Sequence, residues 1–338
     1  MRIVNVMEVK MSEVMKISGI SELIGDITKS YQSDAVSADT LISSYRSVCS
    51  DPELSDNEKR YFEYTLDGII ATLDKVRNPQ IFDAGEKRTV KLFFCPSKRM
   101  VPAALKDGVL EKEDVFYTKM SVICPEIFRS GTHFEKLAAL YACGCPSRIT
   151  EVYADPLTAL SASAAEGDGG ISVLAVPKDH LSYPGSDRAL ILSCLPKLSF
   201  AKKRELLETT YASLASNRFQ QLKGGSRYLD DAPEELYKEI TTEKPFFRRD
   251  TEPADLLKPL FVSPYRSDAK AIKRDSVFIV NGLCLSEKDA QRRLDALTVK
   301  KYEISDCKEL LSQLSLLGVD GAGFCVDPKD AADYLKNE

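Results

Sequence analysis

The segment Gly144-Cys145-Pro146-Ser147-Arg148-Ile149-Thr150-Glu151, followed by Asp155-Pro156-Leu157 and a run of alanine and serine, constrains this chain more than any other. A Gly/Pro turn leads into a short apolar strand, Ile149 to Tyr153, with an arginine and an acid embedded in it. Asp155-Pro156 then reads as an N-cap with proline at the first helical position. Charged side chains are therefore predicted at a strand end beside a helix N-terminus, where pockets are often built. The helix running to about Ala165 carries Ala159, Ala162, Ser163 and Ala164, small enough to let it approach a neighbour closely.

The same logic reads the rest of the chain. Residues 12 to 78 are predicted to be helical, with apolar residues recurring at helical spacing around Ile20, Leu41 and Tyr61. Arg77-Asn78-Pro79 and Asp83-Ala84-Gly85 break that pattern. Val90 to Cys95 reads as a strand ending at Pro96. Phe134 to Cys143 is an amphipathic helix, and Glu166 to Gly170 is a tight acidic loop into the strand Ile171 to Val176. Further helices are predicted over Ser186 to Cys194, Phe200 to Ala212, Ala232 to Thr242, Ser286 to Leu297 and Cys307 to Leu317. Strands are predicted at Lys258 to Val262, Ser276 to Val280 and Lys301 to Ile304, with a last strand near Gly323 and a helix from Pro328. Strands scattered among helices without βαβ alternation predict an α+β fold, with small mixed or antiparallel sheets packed against helices. The division expected is a mostly helical region over 1–88 and an α+β core over 89–338.

Composition narrows the function. With 338 residues and a net charge of −5, the chain has no field favouring nucleic acid as a partner. No run approaches the roughly 20 apolar residues of a membrane span, and the N-terminal residues lack the pattern of a signal peptide. No membrane partner is expected, and a cytoplasmic location is the simplest expectation. The nine cysteines sit largely inside apolar runs, as around Cys124 and Cys194, and suit core packing in a reducing compartment. No CxxC pair occurs and His133 and His180 are far apart in sequence, so metal binding is conceivable only at Cys143 and Cys145 and no metal site is expected. Cys145 lies twelve residues from His133, about 18 Å at helical rise, too far for a nucleophile and its base.

The order of features resembles the FRG-domain family, named for a Phe/Tyr-Arg-Gly motif in its first core strand. The run from Tyr141 to Glu151, then Asp155 to Leu160, is similar to the family's Q-H-Y-G-L-P-T-R-L-L-D and N-P-L landmarks. Ser186-Asp187, Pro245-Phe246, Val262-Ser263-Pro264, Lys270 to Phe278 and Leu317 to Asp327 resemble later ones. The resemblance covers most of residues 89 to 338. It implies an ADP-ribosyltransferase-like core that holds NAD in a cleft, with a strand arginine on the phosphate side and an acid at the ribose. It also implies the phage-defence setting suspected for some members.

The chain departs from the family pattern at polar positions. The naming Arg-Gly should fall within Phe93 to Pro96 and is not there. Gln-His is replaced by Tyr141-Ala142, and the closing Asp by Glu151. Lys98 and Arg99 lie past Pro96 and are read as pointing elsewhere. Arg148 and Glu151 remain as catalytic candidates, and on a strand their three-residue separation points them to opposite faces. Arg148 either grips a phosphate or carboxylate bidentately, or holds the turn against a buried carboxylate or backbone carbonyls. Lys270 and Arg274 belong to a basic cluster that reads as a solvated face or as the anion-binding rim of the same pocket. The reading that results is a degenerate FRG-type domain that binds a nucleotide-like ligand or a protein partner. The alternative is an NAD- or nucleotide-using enzyme with a rearranged catalytic set.

Overall fold

Four apolar segments bounded by proline, glycine or aspartate build the middle of a sheet: β2 (Val90–Pro96), β3 (Ile149–Tyr153), β4 (Gly170–Pro177) and β7 (Ser276–Val280). A computed structural model of the chain describes residues 14–31, 34–77, 90–129, 131–167, 169–221, 234–247, 251–265 and 275–319. The described strands join one eight-stranded sheet in the order β1-β8-β4-β2-β3-β7-β6-β5. The remaining strands are β1 (Val14–Ile17), β5 (Leu181–Ser182), β6 (Leu260–Val262) and β8 (Thr298–Ile304). The outermost ladders, β1 with β8 and β5 with β6, are parallel, and all ladders between them are antiparallel. The fold is α+β. The small sheets expected from the sequence are, among the described residues, one mixed sheet. The strand near Gly323 and the helix from Pro328 lie outside the described residues.

Burial explains the sequence of β4. All eight of its residues are buried because helices cover both faces of the sheet. Such a strand shows a continuous apolar run in place of alternation. Neighbouring residues divide between the two layers. Phe93 and Leu174 enter one apolar core, while Phe94 and Val173 enter the other.

The smaller core holds α1 (Ile20–Ser30), α7 (Pro156–Ala165) and α13 (Cys307–Leu316). Ala159 and Ala164 of α7 are buried there, and Ser163 Oγ donates to the Gly170 carbonyl at 2.7 Å. The larger core holds α2 (Asp34–Cys49), α3 (Asp56–Arg77), α4 (Glu113–Ile123), α5 (Pro125–Phe128), α6 (His133–Ala142), α8 (Asp187–Cys194), α9 (Phe200–Gln221), α10 (Glu234–Glu243), α11 (Pro253–Leu257) and α12 (Glu287–Asp295). The N-terminal segment thus shares the core of the rest of the chain, through Leu41 and Tyr45 of α2 and Tyr61 and Phe62 of α3. It also supplies β1 as an edge strand, where a helix was expected.

The Gly144 to Glu151 segment forms as its residue types dictate. Thr132 and Glu135 close a capping box at the start of α6. Gly144, at φ +72°, ends the helix. Its N–H donates to the Tyr141 carbonyl at 2.9 Å and that of Cys145 to the Leu140 carbonyl at 3.0 Å, a Schellman pair that needs a left-handed residue. Pro146 follows and prevents further helix. Ser147 Oγ donates to the Leu137 carbonyl at 3.0 Å, tying the turn back to the helix before β3 begins.

Candidate binding cleft

Arg148 immediately precedes β3 and points into the protein, with no exposed surface. Its Nε donates to Glu113 Oε1 at 2.9 Å and its Nη2 to Glu113 Oε2 at 2.5 Å. Nη1 donates to the Gly282 carbonyl at 3.1 Å. Lys203 Nζ, also fully buried, donates to Glu113 Oε2 at 2.7 Å. The arginine therefore spends its fork on an internal carboxylate, joining β3 to α4 and α9. Burial pushes the Glu113 carboxyl upward, but Arg148 and Lys203 outweigh it and hold the group below the usual carboxylate range. Burial lowers the Lys203 ammonium more than Glu113 raises it. Two cations thus share one anion, and the lysine carries the surplus.

Glu151 goes elsewhere. It lines a cleft of about 800 Å³ in which Arg148 has no part. One wall is the segment after β2, with Lys98, Arg99, Val101, Pro102, Ala103 and Lys106. The opposite wall is α6, with Phe134, Glu135, Ala138, Ala139, Tyr141 and Ala142. The floor is made by Gly144, Cys145, Ser147, Ile149, Thr150 and Glu151 beside Phe278 of β7, and the exposed Glu166 and Tyr265 stand at the rim. The Tyr153 hydroxyl donates to Glu151 Oε2 at 3.1 Å. Phe278 meets Tyr141 and Phe134 edge-on, with ring centroids 5.9 and 6.0 Å apart. Burial, and then the Glu151 carboxylate, raise the pKa of the Tyr141 hydroxyl.

Lys98 and Arg99 correct the sequence reading, since both face the cleft. The chain does not run on past Pro96. It folds into a 3-10 turn over Ser97–Arg99 and a second over Ala103–Leu105. Two bonds fasten that segment to the start of β3. Thr150 Oγ1 donates to the Arg99 carbonyl at 3.1 Å, and the Ala104 N–H to the Ser147 carbonyl at 3.3 Å. Arg99 then reaches Glu166 just beyond α7, with Nε to Oε1 at 2.7 Å and Nη2 to Oε1 at 2.5 Å.

The other candidates separate in the same way. Lys270 and Arg274 lie outside the described residues. Asp155 caps α7 as expected, its Oδ2 accepting from the Thr158 N–H at 2.7 Å, so this helix start satisfies its own donor. Cys143 is exposed and Cys145 is half-buried on the cleft floor. Burial, then Cys143 and Cys124, raise the Cys145 thiol, which keeps it protonated. His133 is buried at the far end of α6, its Nε2 3.3 Å from Thr242 Oγ1. Among the described residues no group of histidine, cysteine and acidic side chains is arranged to hold a metal ion. No described helix is long and apolar enough to cross a membrane.

The sequence reading missed Glu113 and Lys203, the partners of Arg148, and Lys106, Phe278 and Tyr141 as cleft residues. The one available signal was the density of cations at 98, 99 and 106 between Pro96 and Asp107, in a stretch with no helical or strand period. No protein-family model, curated protein or solved structure matches this chain.

Proposed function

We propose that this chain is a degenerate FRG-type domain that works by binding a small nucleotide-like ligand in the cleft between the Lys98–Lys106 segment and α6. The observation that carries this reading is the division of charge and aromatic surface around the cleft. Lys98, Arg99 and Lys106 stand on one wall, Glu151 lies at the floor, Glu135 and Glu166 bring acidic charge on the α6 side and at the rim, and Phe278 and Tyr141 supply ring surface. A cationic wall suits a phosphate, because a guanidinium fork matches phosphate oxygens. A floor carboxylate suits hydroxyl or amine donors, and rings suit a planar base. The volume of about 800 Å³ falls in the range of small-molecule sites.

The position of Glu151 favours a second reading, an NAD-using enzyme. A carboxylate at the floor of a partly closed cleft stabilises positive charge developing on a bound ribose. In this reading Glu151 is the group that touches the reacting atoms, and Arg148 has a supporting role beneath it.

One experiment addresses both. The full chain is titrated with ADP-ribose and with NAD, following thermal shift and release of nicotinamide. Binding of either compound with no nicotinamide release is the expected result. Nicotinamide release that disappears in Glu151→Gln moves the conclusion to the enzyme. No thermal shift at millimolar concentrations of either compound overturns the nucleotide reading.

A further inference from the structure

Arg99 and Glu166 face each other across the rim of the cleft, 67 positions apart in sequence. The backbone of Arg99 is fixed to β3 through its carbonyl, so the guanidinium swings from an anchored base. Glu166 sits differently. It is the residue at which α7 stops, followed by Gly167 at φ +70° and Gly169 at φ +64°. Both of its short contacts to Arg99 use the single oxygen Oε1. The two side chains are 30% and 38% exposed, so water and solutes reach the pair. An ion pair of this exposure contributes about 0–1 kcal/mol and separates easily.

A carboxylate resting in the fork of the one arginine on the cationic wall occupies the place a ligand's anion would take. It also sets a threshold. Tethered beside Arg99, it acts at an effective concentration on the order of millimolar, which a free monocarboxylate must exceed to compete. A phosphoryl dianion competes better, because its second charge and third oxygen reach toward the lysines of the same wall. We propose that Arg99 is the seat for a phosphoryl or pyrophosphate group of the ligand, and that Glu166 is its built-in rival, which restricts the seat to dianionic groups. This assignment rests on the cleft being the binding site. It makes Glu166 a residue that decides specificity while touching no ligand atom.

Inorganic pyrophosphate, which has neither base nor ribose, is the probe. Its affinity for the full chain is measured by calorimetry in the natural sequence, in Glu166→Gln and in Arg99→Gln. Glu166→Gln tightens pyrophosphate about two- to fivefold, the exchange expected for losing a partly exposed rival. It also lets acetate compete with pyrophosphate at concentrations that leave the natural protein unaffected. Arg99→Gln weakens pyrophosphate about tenfold or more, as a charge-assisted contact is lost. Thermal unfolding of each variant reports whether it folds, and if Arg99→Gln does not, Glu166→Gln decides alone. Unchanged or weaker pyrophosphate binding in Glu166→Gln overturns the proposal, as does an absence of binding in both that variant and the natural protein. The two readings fail separately. Pyrophosphate binding with the expected Glu166 effect, but no gain from ADP-ribose over pyrophosphate, keeps the seat and removes the nucleotide. ADP-ribose binding that ignores Glu166 does the reverse.

Discussion

Removing the carboxylate of Glu113 is the perturbation with the clearest physical consequence. Its two oxygens meet Arg148 Nε at 2.9 Å, Arg148 Nη2 at 2.5 Å and Lys203 Nζ at 2.7 Å, and all three side chains are buried. Glu113→Gln keeps the volume and one acceptor but leaves two cations without an anion. Leaving a buried charge uncompensated costs about 3–5 kcal/mol. For 338 residues the unfolding entropy is about 0.7 kcal/mol/K, so the melting temperature falls by about 4–7 °C. Lys203→Met should behave oppositely. It removes the surplus cation, whose charged form burial already disfavours, and leaves Arg148 and Glu113 as a neutral bidentate pair. Its effect is expected within about 1 kcal/mol of zero, or stabilising, since apolar replacement of buried charges is often neutral or better. Differential scanning fluorimetry and urea midpoints near neutral pH measure both variants. A Glu113→Gln shift smaller than about 1 °C, or a Lys203→Met loss as large as that of Glu113→Gln, would refute the reasoning.

Two further outcomes concern stability. His180 is fully buried, and burial lowers its pKa to about 4, with His133 lowered to about 4 for the same leading reason. The unfolded chain, near 6.5, binds more protons throughout the interval between those values. Stability should therefore be level above about pH 6.5 and fall toward pH 4, by up to about 3 kcal/mol per histidine. Urea midpoints across that window should flatten in His180→Gln, and an unchanged slope in that variant would show that other groups carry the effect. Gly282→Ala places a Cβ 2.4 Å from the Leu257 carbonyl oxygen, a backbone atom that cannot swing aside, and disturbs the carbonyl that Arg148 Nη1 uses. A loss of about 2 kcal/mol or more is expected in urea unfolding, and a neutral result would mean that the Leu257 backbone yields.

Legibility in the sequence followed the range of the deciding interaction. β3, β4 and β7 were readable because an apolar run between turn residues carries its own boundaries. The ends of α6 and α7 were readable because Gly144 and Asp155 act on backbone groups within a few residues of themselves. β1 was not readable. Four residues beside a helix become a strand through pairing with β8, some 287 positions away. The segment from Ser97 to Lys112 turns through three short 3-10 pieces, which carry no helical or strand period of their own. Arg99 lies in it and Glu113 begins α4 directly after it, 35 positions from Arg148, and so the cationic wall of the cleft and the partner of one candidate escaped notice together.

That shared origin bears on how the cleft is built. Ser147 and Ile149 line the cleft, while Arg148 between them turns inward to Glu113. The turn into β3 thus makes one short segment both the floor of the cleft and its fastening to α4 and α9. Within β3 Thr150 holds the backbone of Arg99, and both Thr150 and Glu151 line the cavity. An inward arginine satisfied by an internal carboxylate has no donor fork left to offer a ligand, yet moving it would shift the residues on either side of it. Weaker ligand binding in an Arg148 variant would therefore measure the position of the floor. The charged residues that line the cavity are Lys98, Arg99, Lys106, Glu135, Glu151 and Glu166, and of these Arg99 and Glu166 neutralise each other until something with more charge arrives.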